Sequence, residues 1–183
     1  MSSKRKKTIF DELKALLGSR VRADDMELQL YGKDSSVLSG VPSTVCFPLD
    51  AEEVQGIVNI CNRFQRPFIA RGSGTGLAGG AVPVGNPVII STAKMNKILD
   101  IDLEDRIAWV EPGVLNLDLS KALKEFGFHF APDPSSQQVC SIGGNVANNS
   151  GGPHCLAYGV TTSHVLAAEV VLPNAEIVTL GGI

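Results

Sequence analysis

Two stretches of this chain carry residues suited to hold a ligand against the main chain. The first is Arg71-Gly72-Ser73-Gly74-Thr75-Gly76-Leu77-Ala78-Gly79-Gly80. The second is Pro132-Asp133-Pro134-Ser135-Ser136-Gln137, followed by Cys140-Ser141-Ile142-Gly143-Gly144-Asn145-Val146-Ala147-Asn148-Asn149-Ser150-Gly151-Gly152. Both are rich in glycine, hydroxyl and amide residues and poor in charge. A core needs larger apolar side chains, and a solvated surface would carry Lys and Glu. Glycine lets a ligand approach the backbone with no Cβ in the way. Ser and Asn offer donors and acceptors at short reach. Two such loops about sixty residues apart suggest one extended ligand gripped at two places.

Gly74-Thr75-Gly76-Leu77-Ala78-Gly79 matches the GxGxxG spacing of a dinucleotide fold, which requires a helix opening within the motif. Here Pro83 and Pro87 follow, with Gly80 and Gly85, and leave no room for that helix. Lys94 stands about twenty positions on, where a ribose-binding acid belongs. A Rossmann site is therefore disfavoured. The anion-binding capacity survives, because successive amides of a glycine-rich loop can form a concavity for a diphosphate without a helix. His154 follows Gly151-Gly152-Pro153, where it could face the ligand. His129, between Phe128 and Phe130, reads as structural, and His164 is unassigned. Cys140, His154 and Cys155 match no zinc spacing and have no evident fourth ligand, so no metal site is expected. No Ser-His-Asp order, paired carboxylates or Walker lysine is present.

The bulk numbers agree with a small-molecule site on a globular domain. The 183 residues suit one ordinary domain or two small lobes. Sixteen basic against nineteen acidic residues give a net charge of −3, which speaks against a nucleic-acid partner. With aromatics at 5%, the core must be mainly Val, Ile, Leu and Ala. Lys4-Arg5-Lys6-Lys7 reads as a solvated tail. No apolar h-region follows it, and no apolar run approaches the roughly 20 residues that span a bilayer. The four cysteines show no disulfide framework, so reduced thiols and a cytoplasmic location are expected.

The elements that must position the two loops follow from periodicity. Ile9–Leu17 reads as an amphipathic helix stopped by Gly18, and Asp24 caps a second helix running to about Tyr31. Gly32 to Ser36 is a turn-rich linker. Thr44–Phe47 is a strand, Asp50 with Glu53 opens a helix in a capping-box variant, and Pro67–Ala70 and Pro87–Ile90 are strands. A crossover helix between strands implies a parallel pair. Ile98–Ile101 and Ile107–Val110 form a hairpin, Leu115–Phe126 a helix ended by Gly127, Ile142–Asn149 a short helix, and Val165–Leu172 with Glu176–Leu180 a closing hairpin. The reading is α+β: a helical entry segment at 1–40, a small parallel α/β lobe at about 41–92 and an antiparallel α+β lobe at about 93–183, with the ligand between lobes.

The two loops also carry a family resemblance. Arg71 to Gly80 closely resembles the pyrophosphate loop of FAD-linked oxidases of the vanillyl-alcohol oxidase/PCMH type. Ala131-Pro132-Asp133-Pro134-Ser135-Ser136-Gln137 through Gly151-Gly152-Pro153-His154-Cys155-Leu156-Ala157-Tyr158-Gly159 resembles the FAD-linked subunit of glycolate oxidase, and Leu30-Tyr31-Gly32-Lys33-Asp34-Ser35 resembles its entry segment. The resemblance implies a PCMH-type FAD-binding domain oxidising 2-hydroxy acids by hydride transfer to FAD, with an electron-transfer or iron–sulfur partner subunit possible. It implies that the diphosphate lies on the amides of Gly72, Ser73, Gly74, Thr75 and Gly76, with Arg71 and Gly80 beside it. It implies further that Pro132, Ser141, Gly143, Gly144, Asn148, Gly151 and His154 line the flavin side. Relatives carry Gly where Ala175 stands, so a turn with positive φ there would be strained. The family's later E-G-x-L-G segment and its substrate domain have no counterpart before Ile183, which leads to the expectation of a truncated domain that binds FAD weakly and turns nothing over alone. The competing readings are a non-catalytic flavin-binding accessory module and, more remotely, a NAD-type Rossmann protein.

Overall fold

The computed structural model describes residues 7–182, so most of the Lys4–Lys7 tail lies outside the described residues. Helix α1, Ile9–Leu17, begins where Thr8 and Asp11 cap each other: the Thr8 side chain accepts from Asp11 N–H, and the Asp11 carboxylate accepts from Thr8 N–H at 2.9 Å. Its apolar stripe buries Leu13 and Leu17. A 3-10 turn leads into strand β1, Val21–Arg22, and Asp24 caps α2, Asp25–Leu30.

Strand β2 is Thr44–Cys46, α3 is Ala51–Arg63, β3 is Phe68–Arg71 and β4 is Val88–Ser91. They form one sheet in the order β1-β2-β4-β3, with β1 antiparallel and the other three parallel. The parallel crossover was expected. The insertion of β4 between β2 and β3 was not readable, because register across a skipped strand is set by tertiary packing. β1 has two residues, too few to show alternation. The box at α3 differs from expectation. Asp50 accepts from Glu53 N–H, but the Glu53 carboxylate takes Leu49 N–H at 2.8 Å and the Arg20 guanidinium instead of the cap's own N–H.

Strand alternation sorts the sheet into two faces. Cys46, Val88 and Ile90 join Leu13, Leu17, Ile57, Val58 and Cys61 in the core under α1 and α3. Val45 and Ile89 point the other way. So do Arg71 and Ser91, which are register partners on β3 and β4. That second face matters for the site.

The rest of the chain builds around two hairpins. β5, Ile98–Asp102, pairs with β6, Ile107–Val110, through an irregularity between Ile98 and Asp100. α4, Asn116–Leu123, tightens into a 3-10 turn that Gly127 ends with a left-handed residue. α5 is Ile142–Asn148 and α6 is Cys155–Tyr158. β7, Ala167–Val171, pairs antiparallel with β8, Ile177–Gly181. Their turn packs on α3: Gln55 Nε2 donates to Ala175 O at 2.7 Å, and Asn62 Nδ2 donates to Pro173 O at 2.8 Å. Ala175 has φ 69 and is 5% exposed, so the turn does take the positive φ that the relatives' glycine at this position pointed to.

Candidate cofactor site

After Arg71 the chain leaves β3 and reaches β4 with no helix between, as the two prolines require. This loop meets α5 directly. A Cβ on Gly72 would stand 2.6 Å from Ser141 Oγ and 3.7 Å from Gly144 Cα, and one on Gly76 would stand 3.7 Å from Asn148 Oδ1. Glycine at 72 is thus a requirement of close approach. Ser141 caps α5 by accepting from Gly144 N–H at 3.3 Å, and Asn148 Nδ2 donates to Gly144 O at 3.0 Å. The two glycine-rich segments are joined face to face.

A buried amide network holds the second segment. Asn116 Nδ2 donates to Pro132 O at 2.9 Å and to Asn145 Oδ1 at 3.0 Å, and Asn145 Nδ2 reaches Cys140 Sγ at 3.2 Å. Pro132 is fully buried in it. Gly143 and Gly151 are fixed by packing: a Cβ would lie 2.7 Å from Pro112 Cβ at Gly143, and 3.1 Å from Cys155 Cβ at Gly151. Gly80 faces open space, and Thr75 is half-buried between its two glycines.

Two clefts flank the first loop and share Gly72 and Ser73. One, about 290 Å³, runs past Thr92, Asn96, Leu115 and Asp118 to Ser141. The other, about 360 Å³, is walled by Leu30, Tyr31, Arg71 and Ser91. Arg71 is 8% exposed, its Nη1 has no hydrogen-bond partner, and Ser91 Oγ, fully buried, has none either. Burial lowers the Arg71 pKa while Tyr31 and Asp34 oppose that shift, and a guanidinium remains a cation at neutral pH. It lies 5.2 Å from the Tyr31 ring centroid, and a Cβ on Gly74 would run into it. Gly74 also has φ 75, so its loop is less independent of the fold than its surface position suggests.

His154 borders neither cleft. Its Nδ1 lies 2.5 Å from Asp133 Oδ2, and its side chain is 66% exposed. That hydrogen bond pulls the Asp133 pKa below its usual value. His164 Nε2 lies 2.8 Å from Tyr158 O and packs edge-on to Phe130, while His129 is exposed. Among the described residues no group of three His, Cys, Asp or Glu is placed to hold a metal ion. Sequence reasoning missed Ser91, Asn96 and Asp118. Ser91 could have been found from the polar end of an otherwise apolar strand; Asn96 and Asp118 carried no signal.

A glycine-rich loop without a helix thus packs on the capped helix α5, with a cleft on either side of it. The model of the FAD binding domain matches residues 42–181, and the chain belongs to that family, with FAD as its cofactor. It is 47% identical over 165 residues to the glycolate oxidase subunit GlcD of Escherichia coli (strain K12), a match covering 90% of this chain and 33% of the relative. It is 39% identical to a D-lactate dehydrogenase of Anaerostipes hadrus, covering 92% of this chain and 34% of that one. The structure of p-cresol methylhydroxylase superposes with a TM-score of 0.81 at 28% identity, covering 93% of this chain and 34% of that protein. The chain thus spans about a third of the length of these relatives. The fold is the α+β, PCMH-type FAD-binding fold. The residues present fit the cofactor: a buried guanidinium whose Nη1 has no hydrogen-bond partner, a loop with no room for a Cβ at Gly72 or Gly74, and two clefts that meet at Gly72 and Ser73.

Proposed function

We propose that this chain is the FAD-binding portion of a glycolate-oxidase-like flavoenzyme acting on 2-hydroxy acids. The observation that carries the reading is the contact of Gly72 with Ser141 and Gly144, which makes one site of two segments sixty-nine positions apart. The 47% identity to a glycolate oxidase subunit supports the substrate class. In this reading the amides of Gly72 to Gly76 hold the diphosphate, Arg71 supplies positive charge behind them, and Ser141, Gly144 and Asn148 face the flavin side. Bound FAD supplies the two-electron acceptor for oxidation of a 2-hydroxy acid. The protein's part is to orient the cofactor and keep water from it. A location in the cytoplasm and an electron-transfer partner subunit belong to the same reading; no helix among the described residues is long and apolar enough to cross a membrane.

Turnover by these residues alone is not expected. Oxidation needs a group to take the hydroxyl proton and a cation to hold the carboxylate. Asp118 is the one titratable side chain on the first cleft, and His154 lies outside both clefts, paired with Asp133. The test is a fluorescence titration. Added protein should quench FAD saturably, while FAD-loaded protein given glycolate or D-lactate and a dye acceptor should show no turnover. Saturable NADH binding without FAD binding would overturn the cofactor geometry. Dye reduction that disappears in His154→Ala would overturn the non-catalytic reading.

A further inference from the structure

The linker after α2 lies along the glycine loop from Gly74 to Pro83. Ser35 N–H donates to Gly76 O at 3.1 Å, and Ser35 Oγ reaches Gly74 O at 3.5 Å. A Cβ on Gly79 would stand 2.6 Å from Leu38 Cδ1, and Gly40 sits so tightly on Pro83 O that no Cβ fits between them. The linker is closed on itself by Gly40 N–H donating to Gly32 O at 2.8 Å. Asp34 stands at its centre. Oδ1 accepts from Ser36 N–H at 2.8 Å, while Oδ2 is buried without a partner. The Ser36 hydrogen bonds hold its pKa below the usual range, with a lesser contribution from the Arg71 charge.

We propose that Asp34 is a positioning residue for FAD: the 32–40 linker is a strap, and Asp34, without touching the cofactor, folds through its Ser36 hydrogen bond the turn that sets Ser35 on Gly74 and Gly76. The inference rests on the FAD reading above. It explains why a short turn of apparently solvent-loving residues holds a half-buried carboxylate. It also explains how a loop of five glycines keeps one shape with no helix inside it. Backbone freedom is greatest at glycine, so a glycine-rich loop that binds well must be held by something outside itself.

The test uses Asp34→Ala, Asp34→Asn and Asp34→Leu in the whole chain, with the FAD dissociation constant and backbone hydrogen exchange of residues 72–81 as readouts. Removing the acceptor that holds the Ser36 turn should weaken FAD about tenfold or more in Asp34→Ala. Exchange of the loop amides should accelerate in the same variant without FAD. Asp34→Asn keeps an acceptor for Ser36 N–H and should recover part of the affinity, whereas Asp34→Leu, similar in size but without an acceptor, should not, and recovery in both would mean that volume alone matters. Should the alanine variant fail to fold, the asparagine variant carries both readouts. A folded Asp34→Ala protein that binds FAD like the parent overturns the proposal, as does lost affinity with unchanged loop exchange. Faster loop exchange in a protein whose parent binds no FAD would uphold the strap and defeat the cofactor reading, so the two failures are distinguishable.

Discussion

The two glycine-rich segments solve the same problem by opposite means. The second, from Ser141 to Asn149, is an ordinary capped helix: a serine cap at one end, an asparagine in the left-handed region at the other, and a buried Asn116–Asn145 network beneath. Its backbone is regular, and neighbouring segments hold it through Asn116 and Pro112. The first, from Gly72 to Ala81, has no helix or strand and relies on the buried Arg71, the 32–40 strap and the neighbouring α5. Composition alone would class them together. The difference teaches that glycine content marks close approach, while the source of rigidity lies elsewhere and differs case by case.

The comparison breaks hardest at Gly74. Valine there must adopt φ 75 and displace the Arg71 guanidinium. A non-glycine, β-branched residue in that region costs on the order of 1–3 kcal/mol. Gly74→Val should abolish FAD binding and lower thermal stability measurably, and unchanged flavin affinity in a folded variant would remove this loop from the site. Gly72→Val should act differently. It pushes against Ser141 Oγ and separates the two segments, so FAD affinity should fall by about a hundredfold, or ~3 kcal/mol, with a smaller stability loss. A double variant with Ser141→Gly, which clears the opposing side chain, should regain part of that affinity; no regain would mean the contact is not what limits binding.

The second segment should be softer to change. Ser141→Ala removes the α5 cap and should cost about 1 kcal/mol of stability. Its FAD affinity should drop less than in either glycine variant. A drop as large as that of Gly74→Val would mean the two segments are equally brittle. Acid should expose a shared feature. Asp34 in the strap and Asp133 beside the second segment both have folded pKa values below the ordinary carboxylate value. Such groups stabilise the fold above their unfolded pKa of about 4, and the contribution is lost as pH falls through the lower folded value. Melting temperature and FAD affinity should therefore be level between pH 5 and 7 and decline below about pH 4. A decline already complete at pH 5 would contradict the direction of both shifts.

The smallest effect is expected far from the site, at Ala175. Glycine there relieves an αL penalty of roughly 1–2 kcal/mol, against about 0.8 kcal/mol for the lost buried methyl and a further entropic cost of roughly 0.5–1 kcal/mol in the unfolded chain. Ala175→Gly should change stability by less than about 1 kcal/mol by denaturant titration, and a loss above 2 would show that the turn is not strained.

Much of this was legible in the residues. Helix limits at Gly18, Asp24, Asp50 and Gly127 followed from capping chemistry, and the absence of a helix after Gly76 followed from Pro83 and Pro87. The positive φ at Ala175 was signalled by the family resemblance, whose members usually carry Gly there. The strand order was not, because the place of β4 between its partners depends on contacts across the sheet. Arg71 was foreseen beside the loop, but its burial under Gly74 was not, since an arginine at a strand end gives no sign of which face it takes. His154 showed the opposite limit. Its place after two glycines pointed to the ligand, and folding delivered it to Asp133.

The account turns on the two segments gripping one cofactor together. Backbone hydrogen exchange followed with and without FAD measures that directly. Amides 72–76 and 143–148 should gain protection at the same FAD concentration and with the same midpoint. Protection confined to one segment, or two separate midpoints, would contradict a single shared site.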